Sequence, residues 1–273
     1  MPEGPEIRLA ADELQAALAQ QTTTEIFFAF DQLKRYESEL TGVPITAVET
    51  YGKAMVTRFA NRLNIYSHNQ LYGRWLIRPP HDYPDTNRSL RLAIHNKKHS
   101  ALLYSASEIE LLTDDEIPKH PFISKLGPDL LRPETTLEIV EQRFFDEKYE
   151  RRRLTTLLLD QHFIAGPGNY LRSEILFVAR VHPSLRPKDC TDGQRQALAK
   201  ATLELTQQSY DTKGITNDLN LVEELKKQGF TYRQYRFRVF NRADEPCLVC
   251  GTPIIKEEMS GRRLYYCPNC QSK

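Results

Sequence analysis

The sequence predicts an α+β, multidomain fold, on three observations. From Glu25 to about Leu112 the chain is cut into short alternating or apolar runs (ITAVET, AMVTRF, LNIYSH, LRLAIH, SALLYSA), separated by polar breaks such as HNKKH. That is the pattern of strands at sandwich spacing. From Leu137 to Tyr210 apolar residues recur at helical intervals. The last window holds four of the five cysteines as two C-x2-C pairs. An N-terminal β-sandwich with a flanking helix, a helical domain and a C-terminal cysteine-bearing β-hairpin account for all three.

Taken in order, the chain opens MPEGPE, where Pro5 and Glu6 suit the first turn of a helix: a missing N–H costs little there and negative charge matches the dipole. Ile7, Ala10, Ala11, Leu14, Ala17 and Leu18 then carry an amphipathic helix over residues 4 to 20. After the strands, proline and glycine cluster in KHPFISKLGPDLLRPETT, the expected linker. Helices are expected over Leu137–Phe145, Leu154–Gln161, Tyr170–Val178 and Gly193–Tyr210, the last opened by Thr191 or Asp192 as N-cap, with a short one over Leu219–Lys227. TYRQYRFRVF alternates Arg236 and Arg238 with Tyr235, Phe237 and Val239, as an amphipathic strand would. The resulting domains are 1–120, a linker 121–134, a helical domain 135–228 and a hairpin 229–273.

Composition narrows the function classes. No run of 18 apolar residues and no secretory leader occur, so a cytoplasmic protein without membrane contact is expected. Net charge is only +1, but residues 225 to 273 carry ten Lys/Arg against four Asp/Glu, a local +6 that leaves the rest near −5. A polyanion would be met mainly by that end. Cys247 and Cys250, sixteen residues, then Cys267 and Cys270 give the spacing of a zinc ribbon. Four thiolates close a tetrahedral site, so one structural Zn2+ is expected, with no open position for catalysis. Cys190, in LRPKDCTDG, reads as an ordinary loop thiol.

Three further stretches can carry chemistry. LLLDQHFIAGPGNYLRSEIL breaks at glycines and starts a new helix near Asn169; free N–H groups at such a start suit phosphate, although many helical hairpins use the same turn. It lacks a Walker lysine and a βαβ context, so no nucleotide cofactor is expected. YSHNQLYGRW would put Gln70, Leu71 and Tyr72 at an exposed hairpin tip, either a minor packing patch or a wedge into a base stack. Lys53, after Gly52, starts a strand and by itself reads as an exposed strand-end lysine.

In chain order PEGPE, the Gly52–Lys53 pair, GPD at 127 to 129, AGPGNYLRSEIL and SGRRLYYCPNCQ resemble the bacterial formamidopyrimidine-DNA glycosylase and endonuclease VIII family along the whole chain. The HNQLYG tip and the absence of the longer formamidopyrimidine-type lesion loop resemble the endonuclease VIII branch. That resemblance implies a bifunctional DNA glycosylase and AP lyase of base excision repair, acting on oxidised pyrimidines in damaged double-stranded DNA. It further implies a helix-two-turn-helix in the helical domain, DNA held in the cleft between domains, and a bacterial monomer associated with the nucleoid through DNA.

The same resemblance assigns the residues. Removal of Met1 would expose the Pro2 amine, which titrates near about 8 rather than the about 10.4 of a lysine and can form a Schiff base at C1′. Glu3 would be the general acid, a role that asks for a carboxyl held protonated by burial. Lys53 matches a lysine that contacts phosphate and donates a proton in β-elimination; Arg262 matches the arginine of phosphate binding and δ-elimination, with Arg263 the neighbouring alternative. Asn169 would grip the DNA backbone, and Gln70, Leu71 and Tyr72 would fill the gap left by the flipped base. Glu6 and Asp129 match acidic positions near the site. Lys125 stands where the family has a DNA-contacting arginine, keeping the charge but not the bidentate fork. Two rivals remain: the same chemistry on oxidised purines, and a zinc-ribbon DNA-binding protein without catalysis.

Overall fold

Helix α1 (Gly4–Leu18) turns Ile7, Ala11, Leu14 and Leu18 to one face, and all four are buried. Gln20 ends it by taking a positive φ of 61°. The computed structural model describes residues 2–259 and 261–272. The chain divides into two compact units, the first holding Pro2 and Glu6–Lys125, the second Glu3–Pro5 and the chain from Leu126 onward.

Among the described residues of the first unit, eight antiparallel strands form two four-stranded sheets. They are β1 (Thr23–Phe28), β2 (Ile45–Tyr51), β3 (Ala54–Phe59), β4 (Leu63–His68), β5 (Arg74–Arg78), β6 (Leu90–Asn96), β7 (Ser100–Tyr104) and β8 (Glu108–Thr113), with a one-turn helix α2 (Glu37–Leu40) after β1. One sheet runs β2-β3-β4-β8 and the other β1-β6-β7-β5. Ile45, Met55, Phe59 and Ile65 of the first sheet and Phe28, Leu92, Ile94 and Leu103 of the second share one core with α1. Each such side chain contributes on the order of 1.5–3 kcal/mol by leaving water, which is what closes the sandwich.

The second unit is helical: α3 (Leu137–Phe145), α4 (Leu154–Leu157), α5 (Asn169–Val178), α6 (Asp192–Asp211), α7 (Leu219–Lys227) and α8 (Tyr232–Tyr235), followed by the hairpin β9 (Ile255–Met259) and β10 (Arg262–Tyr266). Thr191 is the N-cap of α6, exchanging hydrogen bonds with Gln194 in a capping box. Helix α5 runs through the middle, buried from Tyr170 to Phe177, and shares a core with α3, α6 and Leu264 and Tyr266 of β10. Among the described residues no helix is long and apolar enough to cross a membrane.

Three expectations need correction. Residues 231–240 are not a strand: Thr231 and Gln234 open α8 with a capping box, and the N–H groups of Arg238, Val239 and Phe240 all go to the Glu174 carboxylate rather than to a neighbouring strand. The helix expected to run to Gln161 stops at Leu157, because Asp160 takes the His162 N–H and pairs with Arg152. Residues 69–73 do not close a hairpin, since β4 and β5 belong to different sheets; they form a crossover, tightened by the Gly73 N–H to Asn69 carbonyl bond of 2.7 Å.

Candidate functional site

The N-terminal motif and the glycine turn meet inside the second unit. Gly4 donates to the Gly166 carbonyl at 2.8 Å, a closeness that leaves 2.7 Å between a Cβ on Gly4 and the Gly166 Cα. This contact turns Glu3, which is 2 % exposed, into the start of α5. Its Oε2 accepts the N–H of Gly168 at 2.6 Å and of Leu171 at 3.3 Å, and its Oε1 accepts the N–H of Tyr170 at 2.7 Å. Gly168 must be glycine because a Cβ there would stand 2.6 Å from the Glu3 Cδ. The N–H groups that the sequence suggested for phosphate are therefore taken by the chain's own carboxylate. Three donors and the positive end of a helix favour the ionised form of Glu3, whereas a general acid needs the protonated one.

One turn further along α5 lies a residue that the sequence reading missed. Arg172 is fully buried, and its guanidinium donates to the carbonyls of Thr155, Met259 and Arg263, with Arg262 at the limit of 3.5 Å, and to the Asn169 Oδ1 at 2.7 Å. Asn169 in turn donates through Nδ2 to the Arg263 carbonyl at 2.9 Å. Burial, and next the nearby Arg262, push Arg172 down to about 10 against the pull of Glu3, so it stays a cation at neutral pH. The structure thus gathers Glu3, Asn169, Arg172 and the hairpin end carrying Arg262 and Arg263; both arginine side chains are exposed. Glu174, also missed and fully buried, accepts from Thr216 and from the N–H groups of residues 238 to 240. The available signal was LRSEIL: two opposite charges inside an apolar helical run, which persist in a core only when fully partnered.

Asp129 also lies in this unit. Its segment bridges Ala165, and its side chain accepts the Leu131 N–H. Gly127 lets this segment pass, since a Cβ would meet the Phe163 carbonyl at 2.5 Å.

The first unit holds the other candidates. Pro2 is half-buried; Met1, on whose removal its amine depends, lies outside the described residues. Gly52, at φ 59°, and Lys53 make the two-residue turn between β2 and β3, and Lys53 is 9 % exposed, not the exposed strand-end lysine of the simple reading. Ala54 pairs with His68, so Lys53 stands at the end of β4; it helps burial to lower the pKa of His68. In the crossover Gln70 is held, its Oε1 accepting from Ser107 at 2.5 Å and its Nε2 donating to Glu108 at 2.8 Å. Leu71 and Tyr72 stand out, 52 % and 70 % exposed. Glu6 sits in the first turn of α1, and Lys125 is exposed at the unit's last residue.

At the C-terminal hairpin the Sγ atoms of Cys247, Cys250, Cys267 and Cys270 lie within 4.8 Å of one another, with 3.9 Å between 247 and 270 and 3.5 Å between 250 and 267. Four thiolates about 2.3 Å from one Zn2+ stand roughly 3.8 Å apart, so the set fits the ion. Hydrogen bonds from Thr252 and Asn269 pull the Cys250 thiol down to about 5, whereas burial pushes those of Cys267 and Cys270 up. Cys190 is a different thiol: buried, and pushed up to about 11 by that burial.

Comparison with known proteins matches these parts one by one. Residues 1–106 match the formamidopyrimidine-DNA glycosylase N-terminal domain, 126–220 the formamidopyrimidine-DNA glycosylase H2TH domain, and 244–273 the zinc finger found in FPG and IleRS. A sandwich, a helix-two-turn-helix and a four-thiolate ribbon in this order define a zinc-ribbon DNA glycosylase. Endonuclease 8 of Escherichia coli (strain K12 / DH10B) is 46 % identical over 271 residues, 99 % of this chain and 100 % of its own; that of Shigella sonnei matches equally. Lactococcus lactis formamidopyrimidine DNA glycosylase bound to DNA with an AP site shares the fold at TM-score 0.82 and 20 % identity, over 99 % of this chain and all of its own. MutM in complex with DNA containing carbocyclic 8-oxo-G superimposes equally well over both whole chains, at 21 % identity. The chain belongs to the formamidopyrimidine-DNA glycosylase and endonuclease VIII family, and its zinc finger holds one structural zinc.

Proposed function

We propose that the chain is a bifunctional DNA glycosylase and AP lyase of base excision repair that removes oxidised pyrimidines from damaged double-stranded DNA. It works as a monomer without a nucleotide cofactor, in the bacterial cytoplasm and on the nucleoid. The observation that carries the reading is the three-donor cradle around Glu3, which ties PEGPE to AGPGNYLRSEIL and so fixes the residue next to Pro2. The full-length identity to Endonuclease 8 supports the pyrimidine branch.

In this mechanism the Pro2 nitrogen, freed of Met1, gives its lone pair to C1′ while the glycosidic electrons leave with the base. The nitrogen proton passes through water to O4′ as the C1′–O4′ bond opens, which leaves an iminium, and the departing base takes its proton from water. Glu3 works as a carboxylate, balancing the positive charge that grows on the sugar, as its N–H donors favour. The iminium acidifies C2′; water takes that proton, the C3′–O bond breaks and the 3′ phosphate leaves with its bonding electrons, and Lys53 gives a proton to the departing phosphate oxygen. Loss of the C4′ proton to water then breaks the C5′–O bond, and the 5′ phosphate leaves with its bonding electrons and is bound by Arg262. Asn169 and Lys125 contact backbone phosphates; Gln70, Leu71 and Tyr72 occupy the space of the flipped base; Glu6 and Asp129 support the site. The zinc orders the hairpin carrying Arg262 and takes no part in bond making.

Borohydride reduction of the iminium tests the reading. A covalent adduct should form on duplexes carrying thymine glycol or an abasic site, and Pro2→Gly or an uncleaved N-terminal tag should reduce it at least a hundredfold. Undiminished trapping by the tagged protein refutes the terminal-amine mechanism; faster excision of 8-oxoguanine opposite cytosine than of thymine glycol moves the chain to the purine branch.

A further inference from the structure

Beside the crossover, at the end of the second sheet where β5 and β6 begin and β7 ends, lies an open pocket of about 550 Å3 that no step above uses. Tyr72, Arg88 and Arg91 line it together with Ser89 and Ser105, and among the described residues no acidic side chain does. Its frame is rigid: Leu90 and Arg74 both pair with Tyr104, and the Ser105 N–H donates to the Ser89 carbonyl at 2.8 Å. Arg88 donates through one guanidinium nitrogen to the Tyr72 carbonyl at 2.7 Å, so the pocket and the protruding tip form one piece. Arg91 has its guanidinium 5.4 Å from the centre of the Phe30 ring; its Nε is shielded, so the terminal guanidinium nitrogens are the donors it can offer. Two arginines with donors to spare and no counter-charge match a phosphate, which accepts the planar fork of a guanidinium.

The topology selects which phosphate. Before the tip, β4 pairs with β3 next to Lys53; after it, β5 crosses into the other sheet, whose strand β6 carries Arg91 and is preceded by Arg88. A duplex that receives Leu71 and Tyr72 in its stack has one backbone on each side of them. Given the proposed reading, the strand undergoing chemistry is on the Lys53 side. We infer that the Arg88–Arg91 pocket binds a phosphate of the opposite, undamaged strand and thereby holds the tip in the duplex.

The test uses the full-length zinc protein and a duplex with a stable abasic-site analogue. Arg91→Gln should weaken binding about tenfold and reduce the salt slope by about 1, the effect of losing one phosphate contact. Methylphosphonates, placed one at a time in the undamaged strand, should reveal one position that weakens wild type about tenfold and adds nothing to Arg91→Gln. Arg88→Gln, an exposed change away from Phe30, should show the same coupling. Coupling only to phosphates of the damaged strand, or to none, overturns the inference while borohydride trapping by wild type leaves the glycosylase reading standing. Failure of wild type to trap removes both.

Discussion

Glu3→Gln changes one atom of the cradle and tests it sharply. The carboxylate now accepts three backbone N–H groups, two of them short at 2.6 and 2.7 Å. A glutamine carbonyl can replace one oxygen only; its NH2 must face a backbone N–H. With the carbonyl toward Gly168 and Leu171, the Tyr170 N–H is left buried without an acceptor, which costs about 1–3 kcal/mol, and the remaining bonds lose their charge assistance, roughly another 1 kcal/mol. The sum is about 3 kcal/mol, or a fall in melting temperature on the order of 6–12 °C for a domain of this size. Thermal and urea unfolding should show the loss, and borohydride trapping on thymine glycol DNA should fall with it. A Glu3→Gln protein as stable as wild type within about 0.5 kcal/mol would refute the claim that this carboxylate satisfies the start of α5.

The cradle also predicts non-additivity: Gly168→Ala pushes a Cβ against the Glu3 Cδ, so alone it should cost about 2–4 kcal/mol, and in the Glu3→Ala background much less, as a double-mutant cycle would report. Cys250→Ser, or chelation of the zinc, should unfold the C-terminal hairpin and weaken DNA binding while the sandwich keeps its strand circular dichroism; full affinity after chelation counts against the ribbon's role. Arg262→Ala should stop strand cleavage after β-elimination, visible as the product end group on a sequencing gel; the same loss from Arg263→Ala alone would reassign the role to Arg263. Acid should destabilise the first unit: burial, and next His81, lower the pKa of His95, which is fully buried between Tyr83 and Ser100. Below about pH 6.5 the unfolded histidine takes up its proton first, so stability is complete above that pH and falls by up to roughly 1.4 kcal/mol per pH unit until the folded histidine also protonates. His95→Gln should flatten part of this slope in melting curves between pH 8 and 5; an unchanged slope contradicts the assignment.

What the sequence carried by itself were features set by local periodicity and covalent spacing. The strand runs before Leu112, the α5 start at Asn169, the Thr191 cap and the four-cysteine ribbon all depend on residues a few positions apart, and the order of the motifs was enough to name the family. The same locality misread TYRQYRFRVF, whose strand-like alternation yields because its N–H groups have a partner 64 to 66 residues earlier in Glu174. It also left Arg172 unnoticed. Only the tertiary structure brings Glu3 across about 165 residues to the helix start, where donors favour its charge, and burial makes Arg172 collect the carbonyls of the arginine-bearing hairpin. Periodicity is written along the chain, whereas the ionisation and partners of a buried charge depend on what folding places around it.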